Sequence, residues 1–443
     1  MWKVLLVALF LRLVLLNQSL WLDEAIQALA LQGRLGPILE YALADFQPPL
    51  YHFLGLIWTK IAGFREVSLR TLSLLAGLGT VYFAVKLGEL IANPKVSRIV
   101  GYLAATNPLL IYYSQEGRTY SLTTFLVTAS FYYLLAYFKQ PKRIYLFSYL
   151  FFTVLFLWSS YLAWFVALAQ GLYLLGKRNW PLFIALLVAT SSLILWLPSL
   201  FKSLSFGLGD ASSLSGWAQV VGGTSLKALA LTWIKLNLGR ISFPNPLLYA
   251  LVVLALALLH FMILKKARTL SPNSRPLIIW LLVPLLFASL VSLVIPVYSY
   301  TRVLFVVPAY LLLLAFGLSR LPRSVTYLAV LSQLIFLLIF WLTPRFHREN
   351  WRSLSRDLNA QTDLLVAIPS LKVTAPLTYY QLTHTPLALP DLASTNQPLY
   401  YIRYAEEIFD PSRLGLANLT HFGYTLKEER TYTGLVLEIY EKP

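Results

Sequence analysis

LIIWLLVPLLFASLVSLVI, residues 277–295, runs nineteen residues without a charge, and Arg275 stands just ahead of it. As a helix, a run of that length covers the roughly 30 Å hydrocarbon core of a bilayer. Working outward, similar runs recur near 2–17, 67–91, 98–113, 119–138, 144–160, 162–176, 181–200, 246–264, 302–318 and 325–343. The pattern predicts eleven transmembrane helices. Composition agrees: the chain of 443 residues is 58% hydrophobic and 12% charged, with a mean hydropathy of +0.66. A soluble chain carries about a quarter charged residues and could not expose this much apolar surface to water.

The formal net charge is +17, yet it does not point to nucleic acid. Lys and Arg cluster in alternate connections: Lys95 and Arg98; Lys139, Lys142 and Arg143; Lys177 and Arg178; Lys265, Lys266, Arg268 and Arg275; Arg320 and Arg323. Cytoplasmic loops of membrane proteins are enriched in this way. With Lys3 inside, every cluster falls on the cytoplasmic face, so the N-terminus is expected inside and the C-terminus outside. A span over 49–64 would invert all later clusters, so that stretch is expected to lie on the bilayer. Asn17-Gln18-Ser19-Leu20-Trp21 is a poor cleavage site, so the first span is expected to be retained. The chain has no cysteine, which excludes disulfides and thiolate metal sites.

The two long outer loops, 18–66 and 201–245, carry aromatic amphipathic stretches such as Tyr51-His52-Phe53-Leu54 and Trp217 through Trp233, expected as interfacial helices. After Pro344 the composition turns mixed. Strands are expected at 364–368, 399–402 and 435–439 and a helix over 350–360. The organisation is therefore an all-α polytopic membrane domain, 1–344, and a small extracytoplasmic α/β domain, 345–443.

Chemistry-bearing residues collect on the outer side. Asp23-Glu24 opens the first outer loop, at the start of an amphipathic helix that Gly33 can end. Acids suit a first helical turn, so a solvated helix start competes with a general base held at the membrane surface. Glu116 and Arg118 lie in an otherwise apolar hairpin and need partners or water, either as a structural ion pair or as groups aimed into a cleft. Asp45 and His52 flank Gln47-Pro48-Pro49-Leu50-Tyr51; a divalent metal there is left open, since no ligand spacing specifies one. Arg12, Arg70 and Arg302 lie at outer span ends. They either snorkel or offer planar forks to a phosphate. His260, His347, His384 and His421 are scattered and read as ordinary histidines.

These residues resemble the polytopic sugar transferases of the GT-C fold, in particular bacterial glycosyltransferase family 39, related to protein O-mannosyltransferases and aminoarabinose transferases. The resemblance rests on Ser19-Leu20-Trp21-Leu22-Asp23-Glu24-Ala25, on Gln47-Pro48-Pro49-Leu50-Tyr51, and on Arg70 followed by Ser73 and Gly77. Asn107-Pro108, Tyr113-Ser114-Gln115-Glu116-Gly117-Arg118-Thr119-Tyr120, Tyr300-Thr301-Arg302 ahead of Pro308, and Glu349-Asn350-Trp351-Arg352 extend it. It implies transfer of a sugar from a polyprenyl-phosphate carrier to a lipid, glycan or protein acceptor outside the cell membrane, with inversion. Asp23 takes the role of base, beside Glu24, and Glu116 is the second acid. Arg302 takes the carrier phosphate, with Arg118, Arg12, Arg70 and Tyr51 completing the expected substrate-binding set. Two positions depart from the family pattern: Gln47 replaces a frequent His, which weakens a metal there, and Gly117 replaces a usual Ala. A transporter or lipid flippase fits less well, because the spans are poor in acids and no inverted repeat is apparent. A membrane-anchored receptor would not need eleven spans.

Overall fold

A computed structural model describes the chain except residues 34, 46, 205–222, 268–273, 390–391, 393–396, 411–412 and 443. Phe46, Trp217, Arg268 and the middle of the second outer loop thus lie outside the described residues. The chain begins with α1 (Trp2–Leu13), α2 (Leu22–Leu31), α3 (Leu35–Ala44), α4 (Leu50–Ala62), α5 (Glu66–Ile91), α6 (Pro94–Thr106), α7 (Pro108–Ser114) and α8 (Thr119–Lys139).

Among the described residues, five helices are long and apolar enough to cross a membrane: Glu66–Ile91, Thr119–Lys139, Trp180–Leu204, Pro246–Ala267 and Arg323–Leu342. They match five of the eleven expected runs, 67–91, 119–138, 181–200, 246–264 and 325–343. The remaining apolar runs form shorter helices, and local chemistry interrupts them. The run 98–113 divides at Asn107-Pro108, the 302–318 run opens as a 3-10 turn at Leu304–Val306, and 277–295 stops helically at Val291 with Pro284 inside. At 1.5 Å per residue, the 12 residues of α1 reach only about 18 Å.

The helices sort by what they face. Every residue of Val307–Leu318 is buried, so it is the central pillar of the bundle. Gly317 permits its close approach to a neighbour, since a Cβ there would overlap the Ile263 carbonyl. Pro246–Ala267 instead exposes Leu247, Leu251, Leu254, Leu258 and Phe261, an apolar stripe at helical spacing. Such a face needs lipid as its solvent.

The break between α6 and α7 explains Arg12. Pro108 has no N–H, so the Ala104 carbonyl loses its i+4 donor. Arg12, fully buried, supplies the replacement: Nη2 donates to Ala104 O (3.3 Å), Nη1 to Ala105 O and Ala8 O (3.1 Å each), and Nε to Ser114 Oγ (3.1 Å). Gly77 leaves the room, as a Cβ there would overlap the Ser114 side chain. The guanidinium charge sits at a helix C-terminus, where a cation is favoured. Arg12 is therefore a helix-break cap and not a phosphate ligand, contrary to the expectation from its sequence position.

The C-terminal region holds a five-stranded sheet in the order β2-β1-β3-β5-β4, with β1 Leu365–Ile368, β2 Leu387–Ala388, β3 Leu399–Arg403, β4 Thr425–Tyr432 and β5 Leu435–Glu441. β1 is parallel to β2 and β3, while β5 is antiparallel to β3 and β4. The helix Trp351–Asn359 buries Trp351, Leu354, Ser355 and Leu358, one face at i, i+3, i+4 and i+7. Asn350 caps it by accepting from the Ser353 N–H at 3.2 Å. Polar bonds seat this region on the first outer loop. Tyr380 Oη accepts from Leu20 N at 2.8 Å and donates to Glu66 at 3.0 Å, and Arg348 N donates to Gln18 Oε1 at 2.9 Å.

Candidate active site

Asp23 and Glu24 open α2, and neighbours on a helix point about 100° apart. That rotation gives the two acids opposite environments. Glu24 turns into the protein, with its side chain 2% exposed. Arg70 Nε and Nη2 grip its two oxygens at 2.8 and 2.5 Å, Gly117 N donates at 2.7 Å, and Arg348 Nε lies 3.4 Å away. Burial alone would raise this carboxyl; Arg70 and Arg348 outweigh it and hold Glu24 below the usual carboxylate range. Arg70 also donates to the carbonyls of Leu16 (2.9 Å), Gln18 (2.6 Å) and Ser19 (3.0 Å). A guanidinium has five N–H donors, and all five of these are engaged. The expectation that Arg70 binds a lipid phosphate is thereby corrected: it ties the start of α5 to the loop that carries the acid pair.

Asp23 turns outward, with its side chain 39% exposed. Its nearest cation is Arg118, at 3.8 Å. Desolvation by the surrounding protein raises it, Arg118 and Arg302 oppose, and Asp45 and Glu24 reinforce. Arg118 is shared among three groups, since Nη2 also meets Asp45 Oδ1 at 2.6 Å and Nη1 donates to Tyr41 Oη at 2.7 Å. The Arg302 side chain donates to Val297 O at 3.2 Å and lines a small cavity with Gln47, Ser160 and Tyr161. Tyr51 Oη exchanges a 2.8 Å hydrogen bond with Ser73 Oγ, which donates to Arg118 O at 3.2 Å. Tyr51 thus supports the loop that presents Arg118.

The metal expectation at Asp45 and His52 does not fit. Their Oδ2 and Nε2 atoms are 3.6 Å apart, and Asp45 is already held by Arg118. Burial pushes His52 down to about 3, so it stays neutral. Among the described residues no three His, Asp or Glu converge as a metal site would require.

Glu116 faces a second part of the site, a cavity of about 230 Å3 lined by Trp21, Tyr112, Tyr113, Tyr120, Arg240 and residues of the C-terminal region. Arg348 Nη2 donates to Glu116 Oε2 at 3.1 Å. Burial pushes Glu116 up to about 7, Arg348 opposing and Glu24 adding to it. Folding therefore takes up a proton between about 4.5 and about 7, and this contribution to stability falls as pH rises through that window. Glu116→Gln should flatten the dependence of the unfolding midpoint on pH there; an unaltered slope would assign it to another group.

Arg348 and Arg240 escaped the sequence reading. The motif Glu349-Asn350-Trp351-Arg352 began one residue too late to include Arg348, and Arg240 lay in a loop read as interfacial. Their signal was Arg348 adjoining that motif, and Gly239-Arg240 after a helix. Gly239 has φ +68° and a Cβ there would overlap Pro108, so glycine lets the helix Leu226–Leu238 end against α7 and deliver Arg240 to the Tyr112 ring. His347, read as ordinary, also lines the cavity.

Comparison with known proteins agrees with this architecture. Residues 46–201 match the family described as dolichyl-phosphate-mannose-protein mannosyltransferase. No curated protein matches the chain. The structure is similar to ArnT from Cupriavidus metallidurans, both in the apo state and bound to undecaprenyl phosphate. Each comparison gives a TM-score of 0.59 and 12% identity, covering 99% of this chain and 96% of that one. It is also similar to an Archaeoglobus fulgidus oligosaccharyltransferase tethered with an acceptor peptide, at TM-score 0.56 and 12% identity, covering 99% of this chain and 73% of that one. The chain shares the fold of these solved structures.

Proposed function

We propose that the protein is a glycosyltransferase of the family 39 type that moves a sugar from a polyprenyl-phosphate carrier to an acceptor hydroxyl on the outer face of the cell membrane. The observation that carries this reading is the division of the acid pair. Glu24 is locked in a buried network, while Asp23 stands 39% exposed between Arg118 and the Arg302 side of the site. In the orientation that fits the basic clusters, the N-terminus is cytoplasmic, the membrane domain is 1–344, and the region 345–443 is extracytoplasmic.

The carrier lies with its prenyl chain in the bilayer and its phosphate at Arg302, aided by Arg118. An acceptor hydroxyl approaches the anomeric carbon from the face opposite the phosphate. Asp23 takes the hydroxyl proton as the new C–O bond forms and the bond to the phosphate breaks, so the anomeric centre inverts. Base assistance contributes about 10²–10⁴-fold, and the guanidinium groups stabilise the charge that develops on the leaving phosphate. Glu24, Arg70 and Arg12 act on position alone.

Purified protein in detergent, given lipid extract containing polyprenyl-linked sugars, should transfer sugar without a sealed compartment or gradient. A requirement for sealed vesicles would instead favour a transporter. Arg302→Gln should raise KM for the lipid donor about tenfold or more, the worth of a charge-assisted phosphate contact. Equal KM values in the two proteins would remove Arg302 from the phosphate site.

A further inference from the structure

The acid pair opens α2, yet no side chain caps that helix: Trp21 stands at the N-cap with extended backbone and no capping bond. The direction of α2 is therefore set by the segment that leads into it, residues 14–20. Leu15 turns that segment at φ +64°, a left-handed conformation that a side chain resists. Such a turn persists only where its surroundings hold it. Arg70 holds it from the membrane domain, through the carbonyls of Leu16, Gln18 and Ser19. The C-terminal region holds it from the other side. The Tyr380 hydroxyl accepts from Leu20 N at 2.8 Å and from Ser19 Oγ at 3.2 Å, and it donates to Glu66 Oε1 at 3.0 Å. A hydroxyl has one donor and two lone pairs, so this one is spent entirely on the segment and on the first residue of α5. Leu20 is fully buried, so water cannot replace the acceptor of its N–H. The short helix Ala375–Tyr379 places the hydroxyl: Ala375 and Tyr379 pack on the apolar cluster of Leu20, Ala25, Ala28 and Leu31.

We propose that Tyr380 is a positioning residue for Asp23: it fixes the entry of α2 and with it the direction in which the carboxylate faces. The role of Asp23 as base rests on the proposed function; the fixing of α2 does not. Asp23 lies three residues after Leu20, and its nearest cation is 3.8 Å away. Its aim thus comes from the helix that carries it. Reaction geometry is steep, and a displacement of about 1 Å can cost about 10²-fold in rate. A loosened entry turns Asp23 away from the acceptor hydroxyl and lowers kcat. It leaves the carrier phosphate at Arg302, so KM for the lipid donor stays. Tyr379 supplies the contrast. Its hydroxyl donates to Phe64 O at 2.6 Å. That bond docks the same short helix, but onto the turn before α5 and not onto the segment before α2.

The chain has no cysteine, so two introduced ones report the direction of α2 without background. Gln32→Cys at the exposed end of α2 and Glu89→Cys, exposed near the far end of α5, take spin labels in the full chain in nanodiscs. Tyr380→Phe should broaden the distribution of distances between the labels. Without the labels it should lower kcat about tenfold or more, at unchanged KM for the polyprenyl-linked sugars of a lipid extract. Tyr379→Phe should match the wild type in both measurements. Wild-type distances in Tyr380→Phe overturn the proposal, as does a raised KM at unchanged kcat. Equal broadening in the two tyrosine variants assigns the effect to docking of the whole region and also overturns it. Where Tyr380→Phe folds poorly, Ser19→Ala keeps the bond from Leu20 N and removes the one from Ser19 Oγ. It should broaden the distances less, and no broadening there counts against Tyr380. Broadening in Tyr380→Phe alone, from a wild type that transfers no sugar, would sink the transferase reading and leave Tyr380 as the residue that fixes α2.

Discussion

Asp23→Asn should fold like the wild type and lose sugar transfer by about 10²–10⁴-fold, the usual worth of a general base. The side chain is 39% exposed and its nearest cation is 3.8 Å away. An isosteric amide therefore breaks no short buried pair, and the loss of stability should stay within about 1 kcal/mol. Carrier binding should persist, since the phosphate is assigned to Arg302. The raised Asp23 also shapes the pH dependence. A base works ionised, so the acidic limb of the rate profile should stand above the ordinary aspartate pKa, 3.8, and activity should fall as pH drops through it. Initial rates and thermal unfolding on the same preparation check both halves. A variant that transfers at the wild-type rate would show that Asp23 is not the base.

Glu24→Gln, one residue along, should give the opposite result. It leaves Arg70 buried beside a neutral partner and strips charge from the Arg348 contact at 3.4 Å. Breaking a buried pair from one side costs about 3–5 kcal/mol, a large part of a typical total stability of about 5–15 kcal/mol. The variant should unfold at clearly lower temperature or fail to accumulate in the membrane. Arg70→Leu should do the same, because the carbonyls of Leu16, Gln18 and Ser19 lose their donor with it. A fully stable Glu24→Gln would mean that the tie is not what holds the first outer loop.

The contrast between these adjacent acids marks where sequence reasoning stopped. Its apolar runs located the membrane-embedded helices, and its alternating strands located β1, β3 and β5. It missed β4 because that strand is an exposed edge rich in charge, Lys427 through Arg430, with no buried alternation to find. It did not show where the runs break into shorter helices, because hydrophobicity does not reveal a break; Asn107-Pro108 was visible, but its consequence for Ala104 required Arg12 from α1. Arg12 and Arg70 looked like phosphate ligands because both are cations near outer span ends. Only tertiary packing tells a guanidinium saturated by carbonyls from one that is free. Arg348 and Arg240 were hidden for the converse reason: they reach the site across long separations in the chain, and no local pattern relates them to Glu116 or Tyr112.

In the proposed mechanism the carrier phosphate sits at Arg302, on the side of the site that Asp23 faces. An experimental structure of the full chain with a non-hydrolysable polyprenyl-phosphate sugar tests it most directly. Phosphate density is expected within hydrogen-bond reach of Arg302, with the anomeric carbon between that phosphate and the Asp23 carboxylate. A phosphate seated between Arg240 and Arg348, with Asp23 turned away from the sugar, would contradict it.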